Sequence, residues 1–134
     1  MDSAQLMHHI DTQLSHVWMV RAFLKHSEEA AEDDELAEVH RELYDFMLAL
    51  GGPFKEGDAE EYLRLARKKF SKLKKATELF VEIQPEVSQH TNFFMAAASL
   101  RAAVGEVERL LVGKGQIASM AKGERGREGE RESS

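Results

Sequence analysis

The 134-residue sequence predicts an all-α fold: an antiparallel, up-down-up-down four-helix bundle followed by a disordered C-terminal tail. Three observations point there. Apolar residues recur at the helical period of about 100° per residue in four separate segments. Strand formers are thin and the chain has only two prolines, while 43% of its residues are apolar, enough for one core. The last 22 residues, from Gly113, change to interleaved Gly, Arg and Glu.

The first predicted helix runs from Ser3 to His26, with Leu6, Ile10, Gln13, Val17, Val20 and Leu24 on one stripe. Met7, Leu14 and Trp18 widen that stripe on one flank, and His9, His16 and Phe23 on the other. A face this broad implies two neighbouring helices. Trp18 and Met7 are read as core; the partner-facing alternative is an exposed hot spot. An acidic connection from Glu28 to Asp34 follows, with Asp33 or Asp34 as N-cap of a second helix. That helix carries Leu36, Val39, Leu43, Phe46, Met47 and Leu50 and is expected to stop at Gly51-Gly52-Pro53.

A third helix opens at Asp58, where Asp58-Ala59-Glu60-Glu61 resembles a capping box. Its stripe is Ala59, Tyr62, Leu63, Ala66, Phe70, Leu73, Thr77 and Phe80, and Pro85 is expected to end it near Ile83. The fourth helix begins between Pro85 and Gln89 and carries His90, Phe93, Phe94, Ala97, Leu100, Val104, Val107 and Leu111. Its small residues from Ala96 to Gly105 favour close helix approach. The alternative at Pro85 is a kink in one long helix. The expected organisation is thus a bundle over residues 1–112 and a flexible Gly/Arg/Glu-rich tail over 113–134, too polar to offset its ordering entropy.

Composition narrows the chemistry. The absence of cysteine removes disulfides, thiolate metal sites, Fe–S clusters and cysteine nucleophiles. No secretory signal and no run of ~18 to 20 apolar residues is present, so the expectation is a cytoplasmic protein without a membrane partner. A net charge of −6 argues against nucleic acid as a partner. No phosphate-binding glycine loop follows from Gly51-Gly52-Pro53, which lacks a succeeding Lys-Ser/Thr. No nucleophile signature or small-molecule substrate site is visible either, and the chain reads as non-enzymatic.

Charge is segregated along the chain. Glu28 to Asp45 holds nine acidic residues and one basic, Arg41; Arg64 to Lys75 holds seven basic residues and no acidic one. Arg64, Arg67, Lys68, Lys72 and Lys75 form the basic face of the third helix. Such runs read first as solvated faces with weak ion pairs. They also suit docking between copies of the chain. A third use is contact with phosphate or a nucleic-acid backbone, without the interleaved aromatic residues that base stacking requires.

Chemistry could otherwise reside only in the histidines that punctuate the stripes: His9, His16, His40 and His90. A buried imidazole needs a hydrogen bond or a metal. Helical rise places His16 and His40 at mid-height with His90 nearer one end, whereas His9 lies about 10 Å from His16 and cannot share its metal. His16, His40 and His90 are therefore the candidate ligands for zinc, nickel or haem iron. No Glu-x-x-His motif accompanies them; the pairs Glu86 with His90 and Asp11 with His16 are weak substitutes. The leading expectation is that these histidines hydrogen-bond locally, to Tyr44, Gln13, Thr77, Thr91 or backbone. His16 and His40 are expected to approach each other without a carboxylate. The functional expectation is an interaction or assembly module whose partner is itself or another protein. The alternatives are a metal- or haem-binding bundle and a phosphate contact through the basic face.

Overall fold

A computed structural model describes residues 1–121, with side chains described through Gly113. It is helical, with no strand among the described residues. Five helices follow one another: α1 (Ser3–Lys25), α2 (Glu28–Glu32), α3 (Asp34–Glu56), α4 (Ala59–Val87) and α5 (Thr91–Ala121). No helix of the described residues is long and apolar enough to cross a membrane.

The helix starts follow side-chain chemistry. Asp2 and Gln5 form a reciprocal capping box, the Gln5 N–H donating to Asp2 Oδ1 at 2.8 Å and the Asp2 N–H to Gln5 Oε1 at 2.9 Å. Asp33 caps α3 and Asp58 caps α4, accepting from Leu36 and Glu61 N–H groups. The acidic connection is not wholly irregular. Ser27 accepts from the Ala30 N–H, Glu28 and Glu29 sit at the favourable end of the helix dipole, and Ala30 is buried, so one short helix forms there.

Two helices run past the proline signals that were expected to end them. α3 does not stop at Gly51-Gly52-Pro53 but continues through them to Glu56. Leu50 is buried and Phe54, one turn on, packs on the rings of His8 and Tyr62, so continuing the helix keeps both residues on the core side. The true stop is Gly57, which takes a left-handed φ of 68° while the Asp58 N–H donates to Pro53 O at 2.9 Å. In the same way α4 does not end at Ile83. It absorbs Pro85 in its last turn and ends at Val87, where buried Gln84 donates from Nε2 to Ser88 O at 2.8 Å. A break between helices does follow, at residues 88–90, so one kinked helix is excluded. α5 also continues past the expected limit at 112, reaching Ala121. The rest of the expected tail, 122–134, lies outside the described residues.

Packing is reciprocal around one core. α1 packs against α5 and α3, and α4 packs against α3 and α5. Ile10, Val17, Leu43, Tyr62, Phe80 and Leu100 are fully buried between them. Cross-helix contacts fix the levels: Phe23 meets Phe93 edge-on at 4.9 Å, Lys74 pairs with Glu108 at 2.9 Å, and His8 meets Phe54 at 5.4 Å. Two apolar members of the expected stripes turn outward. Phe94 is exposed beside buried Phe93, and Trp18, expected in the core, is 42% exposed.

Candidate functional site

The histidines are not the inward cluster that their stripes suggested. His9, His16 and His90 are exposed, and only His40 is half-buried. His16 and His9 ride on the edge of α1, roughly 100° from the centre of its core stripe. His90 is consumed by helix capping: its Nδ1 accepts from the Asn92 N–H at 3.0 Å, and its carbonyl accepts from Phe93 and Phe94. Among the described residues no group of three or more His, Asp or Glu is placed to hold a metal ion. The set His16, His40 and His90 is thus not brought together, and no donor set for zinc, nickel or haem iron is assembled there. Of the expected hydrogen-bond partners, Thr77 serves its own helix, donating to Leu73 O at 2.8 Å.

What His40 meets is Arg21, a residue the helical stripes did not single out. Arg21 Nη1 and His40 Nε2 lie 3.4 Å apart, which requires a neutral imidazole accepting from the guanidinium. His40 also stacks on Tyr44, with rings 5° from parallel and centroids 6.4 Å apart. Burial, then the charges of Arg21 and Lys25, hold its pKa below the ordinary histidine value. Arg21 itself is only 7% exposed. Its guanidinium lies 4.0 Å from the centre of the Trp18 ring and 5.6 Å from that of Tyr44, a cation held by two aromatic faces. Its Nε–H is buried with no acceptor, and no carboxylate pairs with it among the described residues.

Next to this cluster a groove of about 490 Å³ opens between α1 and α3, with Leu14 and Met47 in its lining and Trp18, Tyr44 and Leu48 along its exposed edges. Leu48 is 63% exposed and Tyr44 40%. At one end Asp11 accepts the hydroxyl of buried Tyr62 at 3.0 Å. Burial, together with that contact, pushes the phenol well above its ordinary pKa. Along α3 the groove is walled by Gly51 and Gly52, at each of which an added Cβ would meet nothing within 4 Å. Each glycine weakens a helix interior by about 0.5–1 kcal/mol relative to alanine, and neither is required by a neighbour among the described residues.

Elsewhere on the surface, Arg64, Arg67, Lys68, Lys72 and Lys75 lie on α4, and all five are exposed. Arg64 forms a two-point pair with Glu61 at 2.8 Å, which holds the Glu61 carboxyl below its ordinary pKa; Lys74 turns instead to Glu108. The groove is the more distinctive feature, since it joins exposed aromatic residues and bare helix backbone beside a buried cation. Comparison with protein-family models, with curated proteins and with solved structures finds no match to this chain.

Proposed function

We propose that this chain is a non-enzymatic assembly module of the cytoplasm, an antiparallel up-down-up-down four-helix bundle that pairs with a second copy through its α1/α3 face. The levels of the cross-helix contacts support the topology: Phe23 with Phe93 and Arg21 with His40 join the end of one helix to the start of the next in space. The observation that carries the function is the line of Trp18, Tyr44 and Leu48 left exposed beside a groove walled by two helix glycines. Aromatic anchors flanking a concave apolar floor are the usual core of a protein interface.

The size of the face also fits. Helices of 23 residues extend about 34 Å, and two of them side by side present on the order of 700 Å². A stable dimer needs about 800 Å² from each partner. Charge on this face supports a second copy as the occupant, because acidic and basic residues mark its two ends: Asp11 and Lys55 at one, Lys25 and Asp34 at the other.

Trp18 is the only tryptophan and provides the test. Its emission is expected to shift to shorter wavelength as protein concentration rises, and Leu48→Glu is expected to abolish that shift while leaving the circular dichroism of the fold unchanged. Emission independent of concentration would sink the proposal.

A further inference from the structure

Building on that self-pairing, we infer that the two copies are related by a two-fold axis perpendicular to the helices at the level of Trp18 and Tyr44, with Asp11 of each copy meeting Lys25 of the other. The levels come from the structure. Arg21 meets His40 and His8 meets Phe54, so Trp18 of α1 stands beside Tyr44 of α3. Both residues line the groove, and both are exposed.

From that level the charges are symmetric in distance and opposite in sign. Asp11 lies seven residues before Trp18 and Lys25 seven after it, each about 10 Å away along the axis. At about 100° per residue, Asp11, Trp18 and Lys25 fall within roughly 40° of one another, on one edge of α1. A two-fold axis at Trp18 therefore sets each Asp11 against the partner's Lys25. On α3, Lys55 lies eleven residues after Tyr44, and Asp34 ten residues before it, so the same axis brings these two together. Ala37 and Gly51 lie seven residues on either side of Tyr44, so the smallest side chains of α3 oppose each other. That pairing gives the bare helix backbone at Gly51 a neighbour, where the described residues place nothing within 4 Å of an added Cβ.

The arrangement also gives Lys25 a carboxylate. Lys25 has no ion pair among the described residues, and the partner's Asp11 arrives at its level. An axis running along the helices fits less well. It would leave Asp11 four residues, about 6 Å, out of step with the partner's Lys55.

Mixing single charge reversals tests the register. Asp11→Lys alone places lysine against lysine twice, and Lys25→Asp alone places aspartate against aspartate twice. Each variant is expected to weaken the dimer by about tenfold or more in sedimentation equilibrium. In an equimolar mixture the introduced lysine faces the introduced aspartate at one contact, and native Asp11 faces native Lys25 at the other. The mixture is therefore expected to recover the wild-type affinity. Asp11→Lys also removes the acceptor of Tyr62, so the same experiment is repeated with Lys55→Glu and Asp34→Lys, which leave Asp11 intact and share the predicted behaviour. A wild-type dimer whose single variants pair normally, or whose mixtures do no better than the singles, overturns the register and leaves self-pairing standing. Recovery instead in a mixture of Asp11→Lys with Lys55→Glu turns the axis along the helices and likewise overturns it. A wild-type monomer at every concentration overturns the self-pairing itself.

Discussion

Replacing both groove glycines, Gly51→Ala with Gly52→Ala, is expected to strengthen the fold and weaken the pairing at once. Both residues lie inside α3, five and four residues before its end at Glu56, and Gly57 is the one described glycine with positive φ, so neither needs a left-handed backbone. A Cβ at either position meets nothing within 4 Å. Helix propensity then acts alone, at about 0.5–1 kcal/mol for each site, or about 1–2 kcal/mol together. For a chain of this size that is a rise in Tm of roughly 3 to 8 °C. The assay is thermal and urea unfolding in dilute solution, where association contributes little, followed by sedimentation at high concentration. The fold should unfold later, and the dimer should be weaker because a methyl at Gly51 intrudes on the partner's α3. A variant that unfolds earlier than wild type would mean that the fold itself requires bare backbone there. Unchanged or tighter pairing would refute the close approach of the two α3 helices.

Three further outcomes follow from individual contacts. Gly57→Ala forces a Cβ into a left-handed turn and should cost about 1–2 kcal/mol in chemical unfolding; an unchanged midpoint would mean that α3 does not end as described. Tyr62→Phe removes the hydroxyl that donates to Asp11 and should destabilise by about 1 kcal/mol, with less loss in an Asp11→Ala background, so an additive double-mutant cycle would deny the bond. His40 has a pKa in the folded state below its ordinary value, so the unfolded chain binds its proton first as pH falls. The stability due to neutral His40 is present above pH ~6.5 and is lost progressively below it, toward the folded-state pKa. Unfolding free energies measured between about pH 7.5 and 5.5 should fall, and His40→Gln should flatten part of that slope; an equal slope in both proteins would contradict the Arg21–His40 contact.

The core of the fold is legible in the sequence because burial here follows the helical period closely. Leu36, Val39, Leu43, Phe46 and Leu50 form a stripe and are all buried, and Asp58 caps α4, although Glu61 turns to Arg64 rather than closing the expected capping box. The differences lie where a local signal competes with packing. Gly51-Gly52-Pro53 is a strong stop in isolation, but Phe54 reaches the rings of His8 and Tyr62 only if the helix goes on. Pro85 is tolerated because it falls in a last turn that Gln84 helps to close.

The candidate site is harder to read. His40 stands out as a polar residue within a stripe, and it is the half-buried histidine of the four; its partner, however, is Arg21. The signal for Arg21 is present: it stands seven residues after Leu14 and four after Val17, on the inward edge of α1, where a charged residue is out of place. With Arg21 turned inward beneath it, Trp18 is lifted to the surface over the guanidinium. The exposed aromatic edge of the groove thus depends on a buried cation on the same helix. Periodicity alone cannot separate these two roles, because Trp18 and Arg21 both border the same stripe.

The proposed pairing of two copies through the α1/α3 face makes mass depend on concentration. Sedimentation equilibrium of the wild-type protein beside Leu48→Glu reads that mass. Wild type is expected to approach twice its 15.1 kDa mass with rising concentration while Leu48→Glu stays at 15.1 kDa. A wild-type mass of 15.1 kDa throughout, or a dimer that Leu48→Glu leaves intact, would contradict the pairing.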